Sequence, residues 1–305
     1  SFFSFAFASA FACTLVRYEI TTILQKELAN MPGVFGELQK GSPNNPSVTK
    51  ESVHHFFKYV TGNPIKRPAW YFDVTQQGEG LVDVTTHLVD LVQWECFPGE
   101  ILDYTKDVEM ICASHWQTEI TKEMFEKVTR HPGFPDYLKD DVDENGVLQV
   151  FCNGDMIYKL KGVHAKVSVI WNFQAPEGIG DTHFSVMRGT KCDMVIKQGK
   201  EQNYKPELYV DVPKSENKAS VKDALKKAIE KLQDKYPGVE LKLEGDVWRV
   251  IAPAKYHVGH EAHFGQVTEK YLKYLVDGKL PDWEVPNMIA KYYTTTSAVE
   301  MARGQ

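Results

Sequence analysis

The chain has 305 residues, 43% hydrophobic and 25% charged, with 41 acidic against 35 basic side chains and a net charge of -6. That is globular composition, long enough for a sizeable core in one or two domains, and its negative balance argues against a nucleic-acid partner. The five cysteines (Cys13, Cys96, Cys112, Cys152, Cys192) are widely spaced with no C-x-x-C pair, which argues against a disulfide framework or a cysteine-clustered zinc site, and no apolar run reaches the ~18–20 residues of a membrane span.

The first stretch, SFFSFAFASAFAC, is built almost wholly from Ser, Phe and Ala. Residues 1–17 read as an atypical start, an artefact or a signal remnant, and are set aside from the fold. Tyr18–Asn30 reads as a helix with Ile20, Ile23, Leu24 and Leu28 on one side, stopped by Met31-Pro32-Gly33. Gly41–Pro46 is a loop. Thr49 reads as the cap of a second helix ending near Thr61-Gly62, and the aromatic run Ala69–Val74 as a strand. After Gly78-Glu79-Gly80 an apolar helix is expected over Leu81–Cys96, ended by Pro98-Gly99. The stretch Val108–Asp143 reads as irregular, with one helix at Lys122–Thr129.

From Val147 the pattern turns to strands: Val147–Cys152, Met156–Leu160, His164–Asn172, His183–Arg188, Cys192–Gln198 and Glu207–Val212, with Asn153-Gly154 and Gly189 among the turns between them. Sequential strands with short connections imply a mainly antiparallel sheet. A charged helix over Lys218–Tyr236 and strands at Val239–Leu243 and Trp248–Ile251 form an insertion, near 215–252, beside that sheet. Its lysines, interleaved with acids, read as a solvated face. Helices at Glu261–Val276 and Asn287–Ala302 close the chain. The fold class is therefore α+β, an open and mainly antiparallel sheet with helices on one face.

The segment Gly78–Trp94 carries the candidate chemistry. On a helix at ~100° per residue, Asp83, His87, Asp90 and Trp94 fall on one narrow polar stripe, with Leu81, Val84, Leu88, Leu91 and Val92 opposite. A carboxylate one turn from an imidazole favours the imidazolium, and His is suited to proton transfer near neutral pH. The spacing alone leaves two readings open: a general acid/base with an orienting carboxylate, or a stripe that hydrogen-bonds neighbouring loops. Trp171 and His183 on expected strands are candidate substrate contacts, with ordinary sheet packing as the alternative, and Arg67 and Trp70, ahead of the motif, could line the same cleft. His257, His260 and His263 are spaced by three, but Gly259 interrupts them and no metal is expected. His54-His55 reads as a surface pair.

Gly80, Asp83, His87 and Asp90 resemble, in place, the G-G-x-x-x-D-x-x-x-H-x-x-D signature of the glucose–fructose oxidoreductase / inositol dehydrogenase-like family, Gfo/Idh/MocA; Glu79 stands where many members have glycine. The ending, His260-Glu-Ala-His-Phe264 and Pro286 to Lys291-Tyr292, is similar too. Arg67-Pro-Ala-Trp-Tyr-Phe-Asp73 and Trp171-Asn-Phe-Gln-Ala-Pro-Glu-Gly178 look like its bacterial subgroup called "putative oxidoreductase, C-terminal domain". The resemblance implies an N-terminal Rossmann domain joined to a C-terminal α/β domain, with His87 as proton acceptor for the alcohol being oxidised and Asp83 holding substrate and imidazole. Gly80 and Asp90 are then motif residues of structural importance. It also implies a sugar or glycoside substrate, NAD or NADP in the intact enzyme, a cytoplasmic or periplasmic bacterial location, and homo-oligomers assembled through the open sheet.

No G-x-G-x-x-G follows a strand and opens a helix, and no E-K-P is present; Tyr204-Lys-Pro206 is no substitute. Residues 18–305 are thus expected to form the C-terminal domain of a truncated enzyme, inactive alone and without tight NAD(P) binding. A non-catalytic carbohydrate-binding or dimerisation module of the same fold is the second reading, and a cofactor-independent lyase or hydratase acting on a keto sugar the third.

Overall fold

The computed structural model describes residues 14–60, 62–213, 216 and 218–304. Its frame is a nine-stranded sheet. The strands are β1 (Val48–Phe57), β2 (Val108–Ile120), β3 (Leu148–Leu160), β4 (Val163–Gln174), β5 (Thr182–Arg188), β6 (Asp193–Lys197), β7 (Glu207–Asp211), β8 (Glu240–Glu244) and β9 (Val247–Ile251). In space they run β8-β9-β7-β6-β5-β1-β4-β3-β2. β1 lies parallel to β4 and antiparallel to β5; the remaining neighbours pair antiparallel.

The helices are α1 (Ile20–Ala29), α2 (Thr85–Cys96), α3 (Lys122–Thr129), α4 (Lys218–Leu232), α5 (His260–Asp277) and α6 (Glu284–Arg303). One core joins Leu24 and Leu28 of α1 and Leu225 and Leu232 of α4 to Met194, Ile196, Leu208 and Val210 of the sheet. A second joins Leu88, Val89 and Val92 of α2 and Ala290 and Ala298 of α6 to Met156, Tyr158, Ala165 and Val167. These strand residues alternate along one face, as the two-residue period requires. The other face carries Ile170, 38% exposed, and the Glu51–Lys166 ion pair at 3.0 Å.

The mainly antiparallel α+β sheet is as expected, and several elements differ in detail. Val48–Phe57 is not a helix but β1, hydrogen-bonded on both sides at the centre of the sheet. Its β-branched and aromatic residues suit that position. Ala69–Phe72 is a 3-10 turn rather than a strand, followed by a helical turn whose first amides Asp73 caps: its Oδ1 accepts from the Thr75 amide at 2.9 Å. Val108–Ile120 is a long edge strand, not irregular chain.

Asn153-Gly154 makes no turn; both lie inside β3. Asn153 spends its side chain on the sheet itself, accepting from the Trp171 amide at 2.6 Å and donating to Thr118 Oγ1 at 2.8 Å. The strands near 215–252 extend the main sheet, because β9 pairs with β7. Finally, Arg17 does not belong with a discarded start. It is 7% exposed and donates to both oxygens of Asp90, at 2.5 and 2.6 Å. Residues 1–13 lie outside the described residues.

Candidate active site

α2 opens without a side-chain cap. In place of one, the Gly78–Val84 segment winds into it: the Val82 and Asp83 amides donate to the Glu79 carbonyl at 2.9 and 3.0 Å. Thr85 Oγ1 donates to the Gly80 carbonyl at 3.2 Å. The segment rests directly on β3. A Cβ added at Gly80 would stand 2.1 Å from the Cys152 carbonyl oxygen, and one at Gly154 would stand 2.6 Å from Leu81 Cγ. Glycine is needed at both places for close approach. Glu79 is clamped by His115 Nδ1 at 2.6 Å and by Arg303 at 2.7 Å.

The four residues of the helical stripe are placed differently. Asp83 precedes the helix and accepts from Gln77 Nε2 at 3.1 Å. Burial pushes its carboxyl up to about 6, against the opposing influence of His54, the Gln77 bond and Arg67. His87 lies on the first turn of α2 and lines a cavity of about 440 Å³. Asp90 turns inward: burial alone would raise it, but Arg17 and Lys291 outweigh that and hold it below its ordinary value. Trp94 lies under the Lys26 ammonium, 4.6 Å from the ring centroid.

The cavity draws its ionisable lining from distant parts of the chain, among them His54 of β1, His87 of α2, Asp181 and His183 at the start of β5, His257 ahead of α5, and His263 within it. His54 and Asp181 form a pair, Nδ1 to Oδ2, at 3.0 Å. Lys58 binds the same Asp181 oxygen and His55 approaches the other at 3.4 Å. Burial would raise Asp181, but the bonds from His54 and His55, with the charges of His54 and Lys58, hold it well below the usual carboxylate range. His183 is pushed down to about 3 by burial and the Lys50 charge, while a backbone hydrogen bond with Glu51 works the other way.

Lys50, fully buried behind this wall, pairs with Glu95 of α2 at 2.5 Å and donates to Ser185 Oγ at 2.7 Å and Gln25 Oε1 at 3.1 Å. The paired charge and its two neutral acceptors satisfy an ammonium that would otherwise be prohibitively costly to bury.

Of the residues singled out in the sequence, His87 and His183 line the cavity, and Asp83 lies beside its wall residue Val84. Trp171, 4% exposed, supports it from behind, its ring 4.9 Å from that of His54. Arg67 and Trp70 do not line it. Arg67 donates to the His55 and Phe56 carbonyls at 3.0 and 2.9 Å and covers the Tyr71 ring, while Trp70 is 45% exposed. His54-His55 is no surface pair: His55 is 5% exposed and His54 faces the cavity. Reading β1 as a helix concealed His54, and nothing in the local pattern around Asp181 marks it.

The family model described as "Putative oxidoreductase C terminal domain" matches residues 24–303. The chain belongs to this family. Among solved structures, this oxidoreductase C-terminal domain is similar to a "putative oxidoreductase" from Parabacteroides merdae, with 61% identity and a TM-score of 0.93 over 95% of this chain and 66% of that one. The shared fold is that of the C-terminal domain of Gfo/Idh/MocA oxidoreductases. A "putative oxidoreductase" from Erwinia carotovora (12% identity, TM-score 0.52, 94% of this chain and 62% of that one) and the transcriptional regulator Gal80p from Kluyveromyces lactis (12%, 0.53, 96% and 60%) share the fold alone. The oxidoreductase C-terminal domain thus spans between 60% and 66% of the length of these structures. No curated protein matches it.

Proposed function

We propose that this chain is the substrate-binding and proton-transfer half of an NAD(P)-dependent dehydrogenase acting on a CH–OH group of a sugar, glycoside or polyol. The observation that supports it is His87 on the wall of a 440 Å³ cavity whose other polar groups converge on the same space. Fold alone does not carry the reading, since a regulator shares it.

In this reading His87 accepts the proton of the substrate hydroxyl; a nicotinamide held by another part of the protein would supply the hydride-accepting chemistry. Asp83, close to the same wall, holds the substrate and the imidazole. The residues described here do not fit a dinucleotide: no strand leads into a G-x-G-x-x-G turn that opens a helix, the arrangement that cradles a pyrophosphate. The cofactor's binding groups therefore lie outside the described residues, and the chemistry assigned to this chain is that of the proton. The sheet face away from the helices is the surface through which copies assemble.

The test is NAD(P)+ reduction by a panel of glycosides and polyols, using a polypeptide that carries this chain together with a dinucleotide-binding domain. His87→Ala should lower kcat by about a hundredfold or more, the usual scale for a lost general base. An unchanged kcat would remove His87 from the reaction. Nanomolar NAD+ binding to this chain alone, read by calorimetry, would overturn the placement of the cofactor groups.

A further inference from the structure

Three polar atoms in the cavity wall are left without a partner by the fold. Ser52 Oγ, His54 Nε2 and His183 Nε2 are each buried and meet no hydrogen-bonding group of the protein. Ser52 and His183 are cross-strand partners of β1 and β5, and His54 lies two residues along β1 on the same face. They form one patch, and all three residues line the cavity with His87. An unpartnered buried polar atom costs about 1–3 kcal/mol. Several in one patch mark a place where a ligand supplies the missing bonds.

His54 is also oriented. An ionised carboxylate only accepts hydrogen bonds, so the 3.0 Å contact with Asp181 places the His54 proton on Nδ1 and leaves Nε2 as the nitrogen that meets a ligand. The ring packs against Trp171 and Asp181 is fixed by Lys58, so the pair is held from two sides. His183, neutral at ordinary pH, presents an uncharged imidazole beside it. Asp181 and Glu19 lie in the same wall. The ring nitrogens offer hydrogen bonds to hydroxyl groups, and the carboxylates beside them repel anions.

We infer that His54, oriented by Asp181, forms with Ser52 and His183 a second hydroxyl-binding subsite of the cavity, which selects a diol or higher polyol over a mono-alcohol or a carboxylic acid. The subsite takes a hydroxyl other than the one presented to His87. It rests on the preceding reading for the role of His87 and stands without it for binding.

The test is calorimetry of this chain with myo-inositol, methyl β-D-glucopyranoside, 2-propanol and L-lactate. Saturable binding of at least one of the two polyols is expected, with none of 2-propanol or lactate. His54→Phe, which keeps the packing on Trp171, should weaken that binding by about tenfold or more, the scale of one lost hydrogen bond to a buried group. Absence of polyol binding, equal binding of 2-propanol or lactate, or unchanged affinity in a folded His54→Phe chain each overturns the subsite.

Should that variant not fold, histidine-selective NMR of the unmodified chain decides. The His54 ring resonances should move on polyol titration while those of His164, bonded to the Lys40 carbonyl far from the cavity, stay. No His54 response overturns the subsite. Polyol binding without dehydrogenase activity in the longer polypeptide would sink the proposed reaction and leave the subsite standing.

Discussion

Asp83 illustrates how a site residue is tuned by position rather than by type. Burial raises its carboxyl from 3.8 to about 6. The folded chain therefore keeps this proton over a range where the unfolded chain has lost it. Its contribution to stability is intact below the ordinary carboxylate value, falls as pH rises through the window to about 6, and is constant above. Asp83→Asn, which keeps the oxygen that accepts from Gln77, should raise stability at pH 7–8 by about 3 kcal/mol, the scale of a shift of this size, and leave it unchanged near pH 3. Urea unfolding at both pH values measures this, and an equal effect at the two would contradict a buried, raised carboxyl. At this scale Asp83 and His87 were legible because the motif they belong to was recognisable. His54 and Asp181 were not, since an imidazole–carboxylate pair between residues so far apart leaves no trace in spacing.

α2 is fixed at two depths by buried charge. Asp90 meets Arg17 and, at 3.6 Å, Lys291; Glu95 meets Lys50. Such pairs add little over an apolar core, but removing one partner strands the other. Asp90→Asn removes the carboxylate that both Arg17 and Lys291 face, leaving Arg17 only the Glu284 carboxylate at 3.6 Å. It should cost about 3–5 kcal/mol, read as a lowered thermal midpoint with a wild-type fold below it; a change under about 0.5 kcal/mol, the range of ordinary surface substitutions, would contradict this account.

The helix–strand confusion over β1 has a physical cause at the same scale. Along its helix-facing side run Lys50, Ser52 and His54, so the alternation of apolar and polar residues that announces a half-buried strand is missing where the strand builds the site. Gly154 misled in the opposite sense: it breaks no strand, and it is small because Leu81 lies against it.

For the whole molecule, the order of helices and strands after residue 147 was readable because each element is local and strongly patterned. The joining of β7 to β9, which turns an expected insertion into a continuation of the sheet, depends on contacts between distant segments that no window of sequence contains. The assembly proposed through the uncovered face belongs to this scale. Sedimentation velocity should show a dimer or larger species, and Ile170→Lys, a charge placed on that face, should shift it to monomer. A monomer before the substitution would remove the proposal.

The parallel pairing of β1 with β4 has a consequence for how the protein is made. β1 leaves the ribosome well before both of its neighbours: it ends at residue 57, whereas β4 begins at residue 163 and β5 at residue 182. At about 5–20 residues per second, the central strand waits seconds with its backbone donors and acceptors open. Nascent chains in that interval expose the aromatic end of β1, Phe56-Phe57, to other chains and to chaperones. The strand that finally carries the pocket's histidine and serine is thus the one whose partners the cell must wait longest to supply.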